Sequence, residues 1–161
     1  MVKPGGFVLN TGKNQFTRLH YYKPAIKPNF QAHLHKCTME TDVLYGEFDN
    51  VLGGIDISSR GKHPVFSKQN KYKARKSGNA DFVEIERVRY KAGDSFFHPT
   101  DKYHYLEFTS REVVTICQWS KDPYFIDHPK NGVIGEMRLE ETPVNPREEV
   151  IDRLKQLNIL E

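Results

Sequence analysis

FQAHLHKCTME, residues 30–40, places two histidines one residue apart in a strand-like stretch and follows them with a glutamate. Side chains on a β-strand alternate between faces. His33 and His35 therefore point the same way, with Leu34 turned to the opposite side. Glu40, five residues after His35, comes back toward both imidazoles if the chain turns in between. Two imidazoles and a carboxylate facing one point make a first-row transition-metal site.

Around that stretch the chain repeats short apolar-alternating runs separated by turn residues. They are FTRLHYY (16–22), DVLYGEF (42–48), VLGGIDI (51–57), DFVEIERVRY (81–90), YHYLEFT (103–109) and EVVTICQW (112–119). Val, Ile, Phe, Tyr and Thr dominate them, and Gly, Pro, Asn and Asp punctuate them. Many strands at this spacing predict a sandwich or barrel. Near the end the pattern changes to a helix. Asn145 is placed as N-cap, Pro146 opens the first turn, and Glu148 completes a capping box. Val150, Leu154 and Leu157, with Ile151 beside them, form one apolar stripe. The expected organisation is one β-barrel over residues 1–144 and a helix over 145–161, packed on the barrel or at a subunit contact.

The 161 residues suit a single domain with a sizeable core, and 28% charged against 37% apolar residues excludes a disordered chain. No apolar run approaches the ~18 residues of a membrane span, and MVKPGGFVLN has no apolar signal-like core. The expectation is a soluble, cytoplasmic protein with Cys37 and Cys117 as buried thiols, a disulfide being the weaker alternative. Net charge is +3 but uneven: seven bases and no acid lie between Arg60 and Lys76. The stretch 58–80 is read as a long basic loop or an extended hairpin tip. Its functional reading is a cap that draws in an anionic substrate, and one such run does not make a specific nucleic-acid binder.

A second constellation lies in GDSFFHPTDKYHYLEF, residues 93–108, where His104 shares a strand face with Leu106 and Phe108. HLHKCTME resembles the first cupin motif, an H-x-H followed by Glu and then Gly, with His33, His35 and Glu40 in place and Gly46 one residue early. GDSFFHPTDKYH resembles the second cupin motif, with Gly93, Pro99 and His104 in register. Asp101 stands where that family has Gly, a position expected to need positive φ, and Phe108 stands where it often has Asn. The resemblance implies an all-β fold, a small jelly-roll barrel. It also implies one divalent transition metal (Fe, Mn, Ni, Cu or Zn) held by His33, His35, Glu40 and His104, with Glu40 also placed to take a proton.

Gln118 and Tyr105 are the candidate substrate contacts, although Ile116 and Gln118 or Cys117 and Trp119 could be the inward pair. Cys37 continues the alternation of His33 and His35 and faces the metal if the strand runs that far. Tyr21, Tyr22 and Tyr103 are read as packing or rim residues, and His20, His63 and His128 as surface or loop residues. The expected function is a metal-dependent enzyme acting on a small, anionic organic molecule. Dioxygenation leads, with decarboxylase, lyase or isomerase chemistry behind it. The alternatives are a non-catalytic binding or sensor barrel and a metal-free sugar epimerase. Exposed sheet edges lead to the expectation of a homodimer.

Overall fold

A computed structural model describes residues 2–3, 6–10, 17–23, 31–35, 37–70, 73–120, 133–135 and 147–161. Apart from one C-terminal helix the described chain is built of β-strands, the architecture of a small jelly-roll barrel. Six strands form the first sheet: β1 (Val2–Lys3), β2 (Gly6–Asn10), β3 (Thr17–Tyr22), β5 (Met39–Tyr45), β9 (Ser95–His98) and β11 (Val113–Trp119). Their order is β1-β2-β3-β11-β5-β9. The other six are β4 (Gln31–His33), β6 (Glu47–Ile57), β7 (His63–Asn70), β8 (Lys73–Lys91), β10 (Tyr103–Phe108) and β12 (Val133–Gly135). They close on themselves in the order β10-β4-β12-β7-β8-β6. The order interleaves strands from distant parts of the chain, so most pairing is long-range.

Alternation assigns each strand a face toward the space between the sheets. Val43, Phe48, Phe96 and Val113 pack there, and the rings of Tyr90 and Phe96 stack at 3.9 Å. On the far face of the second sheet Ala32, Val65, Ala80 and Tyr103 form a separate cluster. Asp49, 6% exposed, binds Arg89 at 2.8 Å and Arg87 at 3.3 Å, tying β6 to β8. The hydrogen bond from Arg89, with a lesser one from Arg87, holds the Asp49 carboxyl below its usual range.

Of the two readings of the basic stretch 58–80, the structure has the extended hairpin and not the long loop. His63–Asn70 and Lys73–Lys91 pair from His63↔Ala80 to Asn70↔Lys73. Val65 and Ala80 are buried in this hairpin while Arg75 and Lys76 stay exposed. An apolar minority at alternate positions is enough to anchor a strand whose other face is solvated.

Two turns depend on glycine. Gly46, between β5 and β6, has φ +83°, and a Cβ there would collide with the carbonyl oxygen of Glu112. Gly93, between β8 and β9, has φ +97°. Asp101 needs no such freedom: Asn158 is the non-glycine with positive φ among the described residues.

The helix α1 (Arg147–Gln156) lies on the outer face of the first sheet, burying Val150 and Leu154 against Leu19, Tyr21 and Val114. Arg153 clamps Glu112 with contacts of 2.8 and 2.9 Å, and Tyr21 donates to the same carboxylate at 2.7 Å. Asn158, at φ +57°, ends the helix. Its N–H bonds the carbonyl of Lys155, that of Ile159 bonds Leu154, and Ile159 packs back on the cluster. The expected cap at Asn145 and Pro146 lies outside the described residues. Among the described residues no helix is long and apolar enough to cross a membrane.

Candidate metal centre

Three of the expected ligands meet. The register places His104 of β10 opposite His33 of β4, and His35, just beyond β4, comes in beside them. One ligand nitrogen from each of His33, His35 and His104 lies within 4.8 Å of the others. His35 Nε2 and His104 Nε2 are 2.7 Å apart. Metal–imidazole bonds of ~2.1 Å put neighbouring ligand nitrogens ~3.0–3.4 Å apart and opposite ones ~4.2 Å apart. The cluster matches that scale with small side-chain adjustments. His104 is 4% exposed, and its Nδ1 sits 2.9 Å from Oδ1 of Asn50, itself 1% exposed. Because that oxygen accepts, Nδ1 carries the proton and Nε2 presents a lone pair to the cluster. Such outer partners orient metal-binding histidines.

Glu40 is not with them. It is exposed on the outer face of β5, opposite Gln118 of β11 and Phe97 of β9, while its neighbours Met39 and Thr41 point inward. His33, His35, Met39 and Thr41 all border the cavity, so one alternating parity runs through this stretch and turns Glu40 to the opposite face. The roles of ligand and base expected for Glu40 do not fit this placement. Gln118 is likewise exposed, and the open parity of β11 resolves with Cys117 and Trp119 inward. Tyr105 borders the cavity, but its ring meets Phe82 edge-on at 5.2 Å. Cys37 is buried with Met39, Cys117 and Trp119, away from the three-histidine group. Both cysteines are free thiols.

Two further histidines join the site. His98, which the sequence reading left without a role, is 3% exposed on β9, with its ring centroid 4.2 Å from that of His104 and 5.4 Å from that of His35. The available signal was its two-residue spacing from the inward Phe96. His20, expected at the surface, is 2% exposed because β3 is central in its sheet and turns His20 and Tyr22 inward. His63 lies on β7 outside the cavity, and His128 lies outside the described residues.

Five of the seven histidines thus line one cavity of about 100 Å³ between the sheets. The rings of His33, His35, His98 and His104 are in contact with one another, while His20 lies beside Tyr22 and Tyr22 beside Phe108. Burial, with a smaller contribution from Cys117, drives the Tyr22 hydroxyl far above its ordinary pKa, so it stays protonated.

No family model matches the sequence, and no curated protein matches it. Solved structures with a similar fold include the Drosophila melanogaster CENP-C cupin domain, at 13% identity and TM-score 0.41, covering 69% of this chain and 65% of that one. The hydroquinone 1,2-dioxygenase PnpCD in complex with Cd2+ and 4-hydroxybenzonitrile aligns at 15% identity and TM-score 0.44, covering 77% and 68%. A hydroquinone 1,2-dioxygenase from Sphingomonas sp. TTNP3 with 4-hydroxybenzoate bound aligns at 12% and 0.42, covering 70% and 64%. The fold of this chain stands on its own strand order and register.

Proposed function

We propose that the chain is a metal-binding cupin in which His33, His35 and His104 hold one divalent transition ion, Fe, Mn, Ni, Cu or Zn. The observation that carries this is the convergence of three ligand nitrogens within 4.8 Å in a cavity lined by five histidines. We take it further as a metal-dependent, dioxygenase-like enzyme acting on a small organic molecule. Such an ion supplies Lewis acidity and open coordination positions. His98, with its ring against those of His104 and His35, lies outside the three-nitrogen group and lines the cavity beside it.

The residues of this chain would do the rest. Asn50 holds the proton on His104 Nδ1, so its Nε2 faces inward. Tyr22, Phe48 and Phe108 exclude water and seat the apolar part of the substrate. Benzene-sized molecules occupy cavities of ~150 Å³, so a space of about 100 Å³ favours a compact substrate over a nucleotide sugar. The acid-free run from Arg60 to Lys76 favours an anionic one. A cytoplasmic setting agrees with two free buried thiols. A homodimer through edge strand β9 agrees with the 65% exposure of Phe97.

Metal analysis of protein purified under nitrogen tests the reading. The wild type and His63→Ala should carry close to one ion per chain, and His104→Ala should lose it. Wild-type protein that retains no divalent metal would sink the proposal. Metal-replete protein that binds small acids without ever converting them would favour the non-catalytic alternative.

A further inference from the structure

Across the same cavity from the histidine cluster's own strands lies a second chemical group. Cys117 Sγ is 3.2 Å from His20 Nδ1 and 3.3 Å from Thr41 Oγ1. Cys117 and His20 are each 2% exposed and all three side chains border the cavity. β11 pairs with β3 on one side and with β5 on the other, and this brings the three together: Thr115 stands opposite His20, and Cys117 opposite Thr41. Trp119, 8% exposed and on the same face of β11, also borders the cavity. Its Nε1–H has no acceptor among the described residues. A buried thiol surrounded only by apolar side chains is an inert packing group, whereas a thiol against an imidazole has a base within reach of its proton.

We infer that Cys117 and His20 form a nucleophile–base pair, a peroxide-reactive thiol site in the cavity wall. The thiol proton passes to His20 Nδ1 as sulfur attacks one oxygen of hydrogen peroxide. The S–O bond forms, the O–O bond breaks, and the departing hydroxide takes the proton from His20 and leaves as water. Sulfur is oxidised by two electrons to the sulfenic acid and the peroxide is reduced by two. Thr41 Oγ1, 3.3 Å from the sulfur, is a donor beside the new S–OH group, and Trp119 lines the same cavity. At ~30 Å³ per water in the liquid, a cavity of about 100 Å³ admits a molecule as small as hydrogen peroxide. Cys37, buried but not bordering the cavity, is a control within the same molecule. The inference is independent of the proposed metal.

The full chain is exposed to hydrogen peroxide with and without prior chelation, the peroxide is removed with catalase, the protein is denatured in dimedone, and adducts at each cysteine are followed by peptide mass spectrometry. Cys117 should be labelled at least about tenfold faster than Cys37, at the same rate in both preparations. His20→Gln should slow Cys117 by about 10²-fold, the lower end of what a positioned base contributes. His63→Ala should leave the rate unchanged. Equal labelling of the two cysteines, a rate that vanishes on chelation, or full reactivity in folded His20→Gln would overturn the inference. Far-UV circular dichroism establishes that the variant is folded, and the Cys117-to-Cys37 comparison needs no variant at all. Metal content plays no part in the readout, so failure here is distinct from failure of the metal-centre proposal.

Discussion

Asn50→Ala separates a built metal centre from a chance meeting of buried histidines. The substitution removes the oxygen 2.9 Å from His104 Nδ1 and touches none of the three converging nitrogens. Both residues are at most 4% exposed, so no bulk water replaces the lost partner. A buried donor left without an acceptor costs about 1–3 kcal/mol. For a chain of this size that corresponds to a fall in Tm of about 2–12 °C, taking 2–4 °C per kcal/mol. Losing the outer partner of a ligating histidine also weakens metal binding by about 10–100-fold, because the imidazole can rotate and change tautomer. Asn50→Asp keeps an acceptor in place and should hold zinc at least as tightly as the wild type. The assay is competitive zinc titration against a chromophoric chelator, with thermal unfolding of the zinc-free proteins alongside. If Asn50→Ala loses stability as expected but binds zinc within threefold of wild type, His104 is a packing histidine and the reasoning fails.

Glu40→Ala should change neither zinc affinity nor Tm measurably, since its side chain is exposed on the outer face of β5; a severe loss of metal in the same titration would restore it as a ligand. Leu154→Ala, at a position with 0% exposure beneath the helix, should cost about 2–5 kcal/mol in urea unfolding with the slope unchanged. Glu112 is held below its ordinary pKa chiefly by the hydrogen bond from Arg153. Its contribution to stability is therefore present above the ordinary carboxylate range and is lost as pH falls through the depressed value. Glu112→Gln should flatten that acid limb of the stability–pH curve. Tyr21 is raised to about 12 by burial and by Glu112, so its contribution persists below pH 10 and fades as pH climbs toward 12. Tyr21→Phe should remove that alkaline loss, as read from urea midpoints across pH.

Much of this protein was legible before any tertiary contact was known. Alternation alone put His33 and His35 on one face of their strand, and His104, Leu106 and Phe108 on one face of theirs, and both groups stay so aligned in the fold. The stripe of Val150 and Leu154 announced the helix and its buried side. These are local properties: a strand repeats every two residues and a helix about every 3.6, so neighbours on one element share a face whatever surrounds it. Local periodicity says nothing about which face turns inward. His33, His35, Met39 and Thr41 share one parity and face the cavity, so Glu40 is sent outward with Gln118 and Phe97 rather than swung back toward the imidazoles. The strand order of the first sheet decided that His20 and His98, 78 positions apart in sequence (98 − 20), would face one cavity, and its β3–β11 register decided that Cys117 would meet His20. Those encounters depend on long-range strand order and register, which are set by the whole sheet rather than by any segment within it.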